Sequence, residues 1–169
     1  MSNGKAVPGI LHLRHGRTLD ILRPTPEDIE LEDIVYALSN INRFTGHASP
    51  TYSVAQHSLF VASLVDESLR KEALLHDATE AYLGDVASPL KMLPHMRQYR
   101  ILEDNLRAVI ADRFGLEREV PRSVSEADAL AGQIEFKALV EKAPDVRIEP
   151  FTPYYIAAYD LYSELKELV

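Results

Sequence analysis

The stretch that most constrains this chain runs from Glu72 to Asp85 and reads EALLHDATEAYLGD. Ala73, Leu74, Leu75, Ala78, Ala81 and Leu83 recur at the spacing of a buried helix. Among them stand adjacent His76 and Asp77, then Glu80 one helical turn on, and Asp85 just past Gly84. Ionisable groups inside an apolar segment are costly to bury unless they are paired or bound to a metal. Four of them so close together point to a metal site, and the fold has to be built around it.

The 169 residues suffice for one domain with a sizeable core, so residues 1 to 169 read as a single unit. A formal charge of -8 argues against a general nucleic-acid coat, which needs a basic face. It leaves room for an anionic small substrate, because a metal ion or a few local cations can supply the positive field. The absence of cysteine removes disulfides, thiolate chemistry and Cys-type zinc sites together. No apolar run approaches a membrane span. The opening MSNGKAVPG has no signal-peptide core, and the expectation is a cytosolic protein without a membrane partner.

Taken in order, residues 1 to 9 read as a loose tail. Ile10, Leu11 and Leu13, then Leu19, Ile21 and Leu22, predict two short strands joined by a turn at His15-Gly16. Leu31, Ile34, Val35, Leu38 and Ile41 keep helical spacing and predict a first helix over residues 30 to 44, followed by the RFTGHASP loop. Ser53-Val54-Ala55-Gln56 fits a capping box opening a second helix to about residue 65, with His57 in its first turn. A third helix spans 69 to 83 with Gly84 as its cap, and Ser88-Pro89 interrupts the chain. Longer helices are predicted over 95 to 114, 121 to 142 and 154 to 168. The expected architecture is mostly helical, with a small hairpin at the front.

His57, His76, Asp77 and Asp128 each fall on or at the end of a predicted helix. Imidazole and carboxylate suit zinc, cobalt or manganese, and such a set can leave positions for water and a substrate oxygen. Singly the residues have ordinary explanations: His57 as a capping group, Asp128 in EADAL as a solvated helical face. Together they form a pattern. VAQHS at 54 to 58, LLHDATE at 74 to 80, GDVASPLK at 84 to 91 and EADAL at 126 to 130 resemble the HD-domain phosphohydrolases, in order and in spacing. The nearest likeness is to the compact branch that contains bacterial 5′-deoxynucleotidases and phage dATP triphosphohydrolases.

That resemblance implies a single HD-domain helical bundle in which His57, His76, Asp77 and Asp128 hold a catalytic divalent metal (zinc, cobalt or manganese), with room for magnesium at a second site. It implies Glu80 as general base or acid, and Asp85 at the site edge orienting water, contacting the sugar or helping a second ion. Lys91 and Arg43, the latter at the end of the first helix, become phosphate contacts, with surface charge as the alternative for each. Phe44 is either a platform for base or sugar or a core residue. His47 either touches phosphate or folds its loop. Val124-Ser125-Glu126 departs from the family habit of a basic residue shortly before the last metal aspartate. The implied reaction is in-line attack of water on the α-phosphorus of a deoxynucleotide. The short chain and the RFTGHASPTYSVAQHS segment lean toward a dATP triphosphohydrolase, with a 5′-deoxynucleotidase as the alternative. A homo-oligomer, dimer or hexamer, is implied as well, and Tyr154, Tyr155, Tyr159 and Tyr162 are either its contacts or core.

Two other readings follow from particular features. Leu13-Arg14-His15-Gly16 looks like the RHG motif of histidine phosphatases, but the last histidine of the chain is His95 and no SHG or THG-like segment follows, so a hairpin turn is preferred. A non-catalytic nucleotide sensor built on the same metal site is disfavoured by the presence of Glu80.

Overall fold

The computed structural model of the protein describes residues 7 to 169, and it is mostly helical with one antiparallel hairpin in front. The expected loose tail falls largely on residues 1 to 6, outside the described residues. Strand β1 (Ile10–His12) pairs with β2 (Thr18–Asp20), Leu11 opposite Leu19. Leu19 enters the core, and the RHG segment forms the turn, with His15 exposed at a left-handed φ of 54°. The hairpin reading of this motif therefore stands. Leu22 lies beyond the strand, its amide turned back to Asp20 Oδ1 at 3.0 Å.

Helix α1 (Leu31–Asn40) ends sooner than its apolar spacing predicts. Ile41 is extended, and its carbonyl accepts from the Val54 amide at 3.0 Å while the Arg43 amide donates to Tyr52 at 2.9 Å. This short antiparallel pairing takes residues 41 to 43 out of the helix, so Arg43 lies past the helix and not at its end. Phe44 and Thr45 then adopt left-handed φ values of 55° and 54°.

Helix α2 (Val54–Ala62) is the axis of the molecule, with all nine of its residues buried. It opens on the predicted capping box: Ser53 Oγ accepts from the Gln56 amide at 3.3 Å, and Gln56 Oε1 accepts from the Ser53 amide at 2.8 Å. It stops before Val65, and Arg70 Nη1 donates to the Ala62 carbonyl at 3.3 Å, satisfying one of its free C-terminal acceptors. A helix buried on every side must be surrounded, and α2 packs against α1 and three others described next.

The third predicted helix is two pieces, α3 (Arg70–Leu75) and α4 (Glu80–Leu83), joined by a tight turn. His76 Nδ1 lies 2.7 Å from the Ala73 carbonyl, the acceptor an unbroken helix would offer to the Asp77 amide. The backbone bonds tighten to Leu75–Ala78 and Asp77–Glu80. Gly84 closes α4 at φ 79°, ψ 158°, a region that only glycine enters easily. Next come α5 (Ser88–Lys91), α6 (Arg97–Phe114), α7 (Arg122–Glu135) and α8 (Ala157–Leu168). A wider helical turn over Phe136–Val140 extends α7, so this helix nearly fills its predicted span. The partners of α2 are α1, α3, α7 and α8. Of the α8 region's tyrosines, Tyr155 and Tyr159 are 84% and 74% exposed, whereas the Tyr162 hydroxyl reaches Glu32 at 3.3 Å. No described helix is long and apolar enough to cross a membrane.

Candidate metal centre

Three elements converge at the centre. His57 comes from the first turn of α2, His76 and Asp77 from the tight turn between α3 and α4, and Asp128 from the middle of α7. The two imidazoles are buried, with ring centroids 5.2 Å apart. Each Nδ1 already has an acceptor: Glu135 Oε1 at 2.8 Å from His57, and the Ala73 carbonyl at 2.7 Å from His76. With each Nδ1 engaged as a donor, the Nε2 atoms are left to face the centre, and neither buried Nε2 makes a hydrogen bond of good geometry. One ligand atom each from His57, His76 and Asp128 lie within 4.8 Å of one another, a group able to hold a metal ion.

Asp77, the fourth expected ligand, is not one of that group of three but stands beside it. Asp77 Oδ2 stands 3.3 Å from His76 Nε2 and 3.6 Å from His57 Nε2, while Asp128 Oδ1 is 3.0 Å from His57 Nε2. Burial disfavours the charged forms here, yet the neighbouring histidines, with Arg43 in the case of Asp77, hold both aspartates below the usual carboxylate range. Burial likewise opposes the imidazolium of His76, but the Asp77 and Asp128 carboxylates outweigh it and raise His76 to about 10. Two partnerless imidazole nitrogens facing two carboxylates fit a divalent ion by donor type and by charge.

Around this cluster the outer residues take distinct places. Glu80 is 5% exposed, and its Oε2 has no partner. Burial first, then the charges of Asp77 and Asp85, push its carboxyl up to about 9. Burial also raises Asp85, against the pull of Arg43. The Arg43 guanidinium places Nη1 3.8 Å from Asp77 and donates from Nε to Glu135 at 3.1 Å. Beside it opens a cleft of about 330 Å³ lined by Phe44, Thr45, Asp85, Ser88, Pro89 and Phe136. Phe44 forms part of this wall and tilts against Phe136 at 6.0 Å, so it is neither core nor free. Lys91 is held by Glu103 at 2.7 Å and Glu80 at 3.5 Å, which makes it a partner of the acid rather than a bare cation. His47 is exposed, and its amide closes the loop onto Phe44 at 2.9 Å.

Sequence reasoning missed Glu135 and Glu103. Glu135 is fully buried and stands seven positions after Asp128 on α7, two helical turns along the same face. That spacing, in a segment as apolar as IEFKALV, was the available signal. Glu103 had none, being one of several acids on an amphipathic helix.

No family model matches the chain. It is 44% identical over 104 residues to YfdR, an uncharacterized protein of Escherichia coli K12, a match covering 62% of this chain and 57% of YfdR. It is 41% identical over 133 residues to RCAP_rcc00048, an uncharacterized protein of Rhodobacter capsulatus, covering 71% of this chain and 67% of that protein.

Proposed function

This chain belongs to the same family as RCAP_rcc00048 of Rhodobacter capsulatus, and we propose, from its site, that it is a divalent-metal-dependent phosphohydrolase acting on deoxynucleotides. The observation that carries this is the pair of buried, partnerless Nε2 atoms of His57 and His76 facing Asp77 and Asp128. The likeness of VAQHS, LLHDATE, GDVASPLK and EADAL to the HD-domain phosphohydrolases supports the same reading. His57, His76, Asp77 and Asp128 would hold the ion. Zinc, cobalt or manganese there supplies Lewis acidity to a phosphoryl oxygen and lowers the pKa of water.

The remaining work falls to the chain's own groups. Arg43, which lines the cleft, binds a non-bridging phosphate oxygen and directs the phosphorus toward the proposed metal ligands. Glu80 holds a proton at neutral pH, and its partnerless Oε2 is the atom that delivers it to the leaving sugar 5′-oxygen. Lys91 tethers Glu80 to Glu103 and so fixes that acid in place. Phe44 and Phe136 supply an apolar wall for sugar or base, and Asp85 offers an acceptor for a sugar hydroxyl.

The RFTGHASPTYSVAQHS segment favours a triphosphate, dATP above all, as substrate. The charge of the cleft favours the smaller one. Among the described residues that line it, Arg43 is the one cation, set against Asp85, and Lys91 is already paired. Beyond the metal itself a monophosphate asks for fewer cations than a triphosphate, and this charge balance supports a 5′-deoxynucleotidase. The test is a product assay with cobalt, manganese or zinc on each dNMP and dNTP separately. Orthophosphate from dNMPs supports the nucleotidase, and deoxyadenosine with triphosphate from dATP restores the larger substrate. Metal binding with turnover of neither leaves a sensor in place of an enzyme. In the same assay Asp77→Ala should lose metal binding and activity while keeping its helical circular dichroism, and full activity in that variant would sink the assignment.

A further inference from the structure

Glu135 is the most deeply buried carboxylate near the centre, with no exposure at all. An unpaired charge there would be very costly, and it is not unpaired. Its two oxygens serve two different residues from distant parts of the chain. Oε1 lies 2.8 Å from His57 Nδ1, and Oε2 accepts from Arg43 Nε at 3.1 Å. His57 is a metal ligand and Arg43 an anion contact in the function proposed above, on which this inference rests. We infer that Glu135 is a positioning residue for both halves of the site at once: one oxygen keeps the His57 Nε2 lone pair turned to the metal, and the other keeps the Arg43 guanidinium turned to the cleft.

The chemistry of the two contacts makes the demand specific to a carboxylate. A histidine coordinating through Nε2 carries its proton on Nδ1, and that proton needs an acceptor. Arg43 has only donors. A group between them must therefore accept on both sides. The carboxamide of glutamine has one accepting oxygen and one donating NH2, so it can satisfy either neighbour but not both. If its NH2 faces His57, it favours the tautomer with the proton on Nε2, where the metal should bind. If it faces Arg43, donor meets donor and the guanidinium is pushed away. Neighbouring Gly132 offers Arg43 no polar group, and Arg43 Nη2 lies 3.8 Å from where a Cβ would stand, so on this stretch of α7 it is Glu135 that aims the arginine.

The test compares wild type with Glu135→Gln, which keeps the shape of the side chain. Zinc affinity without any phosphate should fall by roughly 10–100-fold, as expected when an outer partner of a metal-bound histidine is lost. At saturating manganese, inorganic phosphate should bind roughly fivefold more weakly, the worth of about one hydrogen bond. In zinc-loaded wild type, nitrogen NMR of the histidine rings should show His57 coordinated through Nε2 with Nδ1 protonated, a signature that a merely structural glutamate would not impose. Unchanged zinc and phosphate affinities in Glu135→Gln overturn the inference, as does coordination of His57 through Nδ1. The NMR result tests the His57 half even if the variant does not fold, and coordination through Nδ1 is then enough to overturn the inference. Wild-type protein that binds no zinc, cobalt or manganese overturns the metal reading itself and this inference with it, and that outcome is distinct from all the others.

Discussion

Lys91 lies between two carboxylates, and its position sets what its removal should do. Its ammonium is 2.7 Å from Glu103 and 3.5 Å from Glu80, and its charge opposes the burial and the neighbouring acids that raise Glu80 to about 9. Lys91→Met takes that opposing charge away, so Glu80 keeps its proton to still higher pH. If Glu80 is the acid, the alkaline limb of the pH–rate profile of the variant shifts upward while KM changes little. A phosphate contact at Lys91 would instead raise KM and leave the limb in place. His76 carries a second pH prediction. Its ordinary value lies near about 6.5, and Asp77 and Asp128 hold it, against burial, up to about 10. At pH 7 the metal-free site therefore holds a proton on His76 that a bound ion must displace. Metal affinity should rise as pH climbs toward about 10, and binding at pH 7 should release close to one proton. Calorimetry in buffers of different ionisation enthalpy counts that proton, and zero release would contradict the charge balance described for the site.

At the scale of elements, Arg107 on α6 braces the turn that carries His76 and Asp77. It donates to Glu72 Oε2 on α3 at 3.3 Å and to the carbonyls of His76 at 3.4 Å and Glu117 at 3.3 Å, while Glu72 Oε1 accepts from the Glu117 amide at 2.6 Å. Both side chains are buried. Removing one member leaves an uncompensated buried charge, so Arg107→Met should lower the unfolding free energy by about 3–5 kcal/mol in urea titration. Glu72→Gln keeps an acceptor and should be milder. The elements themselves were largely legible, because apolar periodicity reports which face of a helix is buried. The capping box at Ser53 and Gln56 read correctly for the same local reason. Periodicity does not report which amide pairs with which carbonyl, and this is why the break after Leu75 escaped notice. His76 and Thr79 at the break keep right-handed helical angles, and the His76 side chain takes the Ala73 carbonyl where the turn tightens. Ile41 to Arg43 were misread as helix because their pairing partner, residues 52 to 54, lies outside the local pattern. Glu135 was missed on similar grounds: its burial is set by a histidine 78 positions away and an arginine 92 positions away.

For the molecule as a whole, the proposed ligands come from α2, from the turn between α3 and α4, and from α7, so an ion held by all of them would tie together elements that share one core. The unfolded chain has no such arrangement, and binding to the folded state alone adds stability as the logarithm of metal concentration over Kd. At a hundredfold excess over Kd that is about 2.7 kcal/mol, which for a chain of this size raises Tm by roughly 5–10 °C. Protein stripped with a chelator should therefore melt lower than protein given zinc or manganese, with the difference growing as metal is added. Asp77→Ala, lacking one of the proposed ligands, should melt at nearly the same temperature under both conditions. The comparison separates the two ways in which two buried histidines and two part-buried aspartates can be tolerated side by side. If the ion accounts for them, its removal leaves like-charged carboxylates facing each other, relieved only by the proton on His76 and by Arg43, and stability falls. If hydrogen bonds and ion pairs within the protein suffice, wild type melts alike with and without metal, and the site is a structural polar cluster rather than a metal centre.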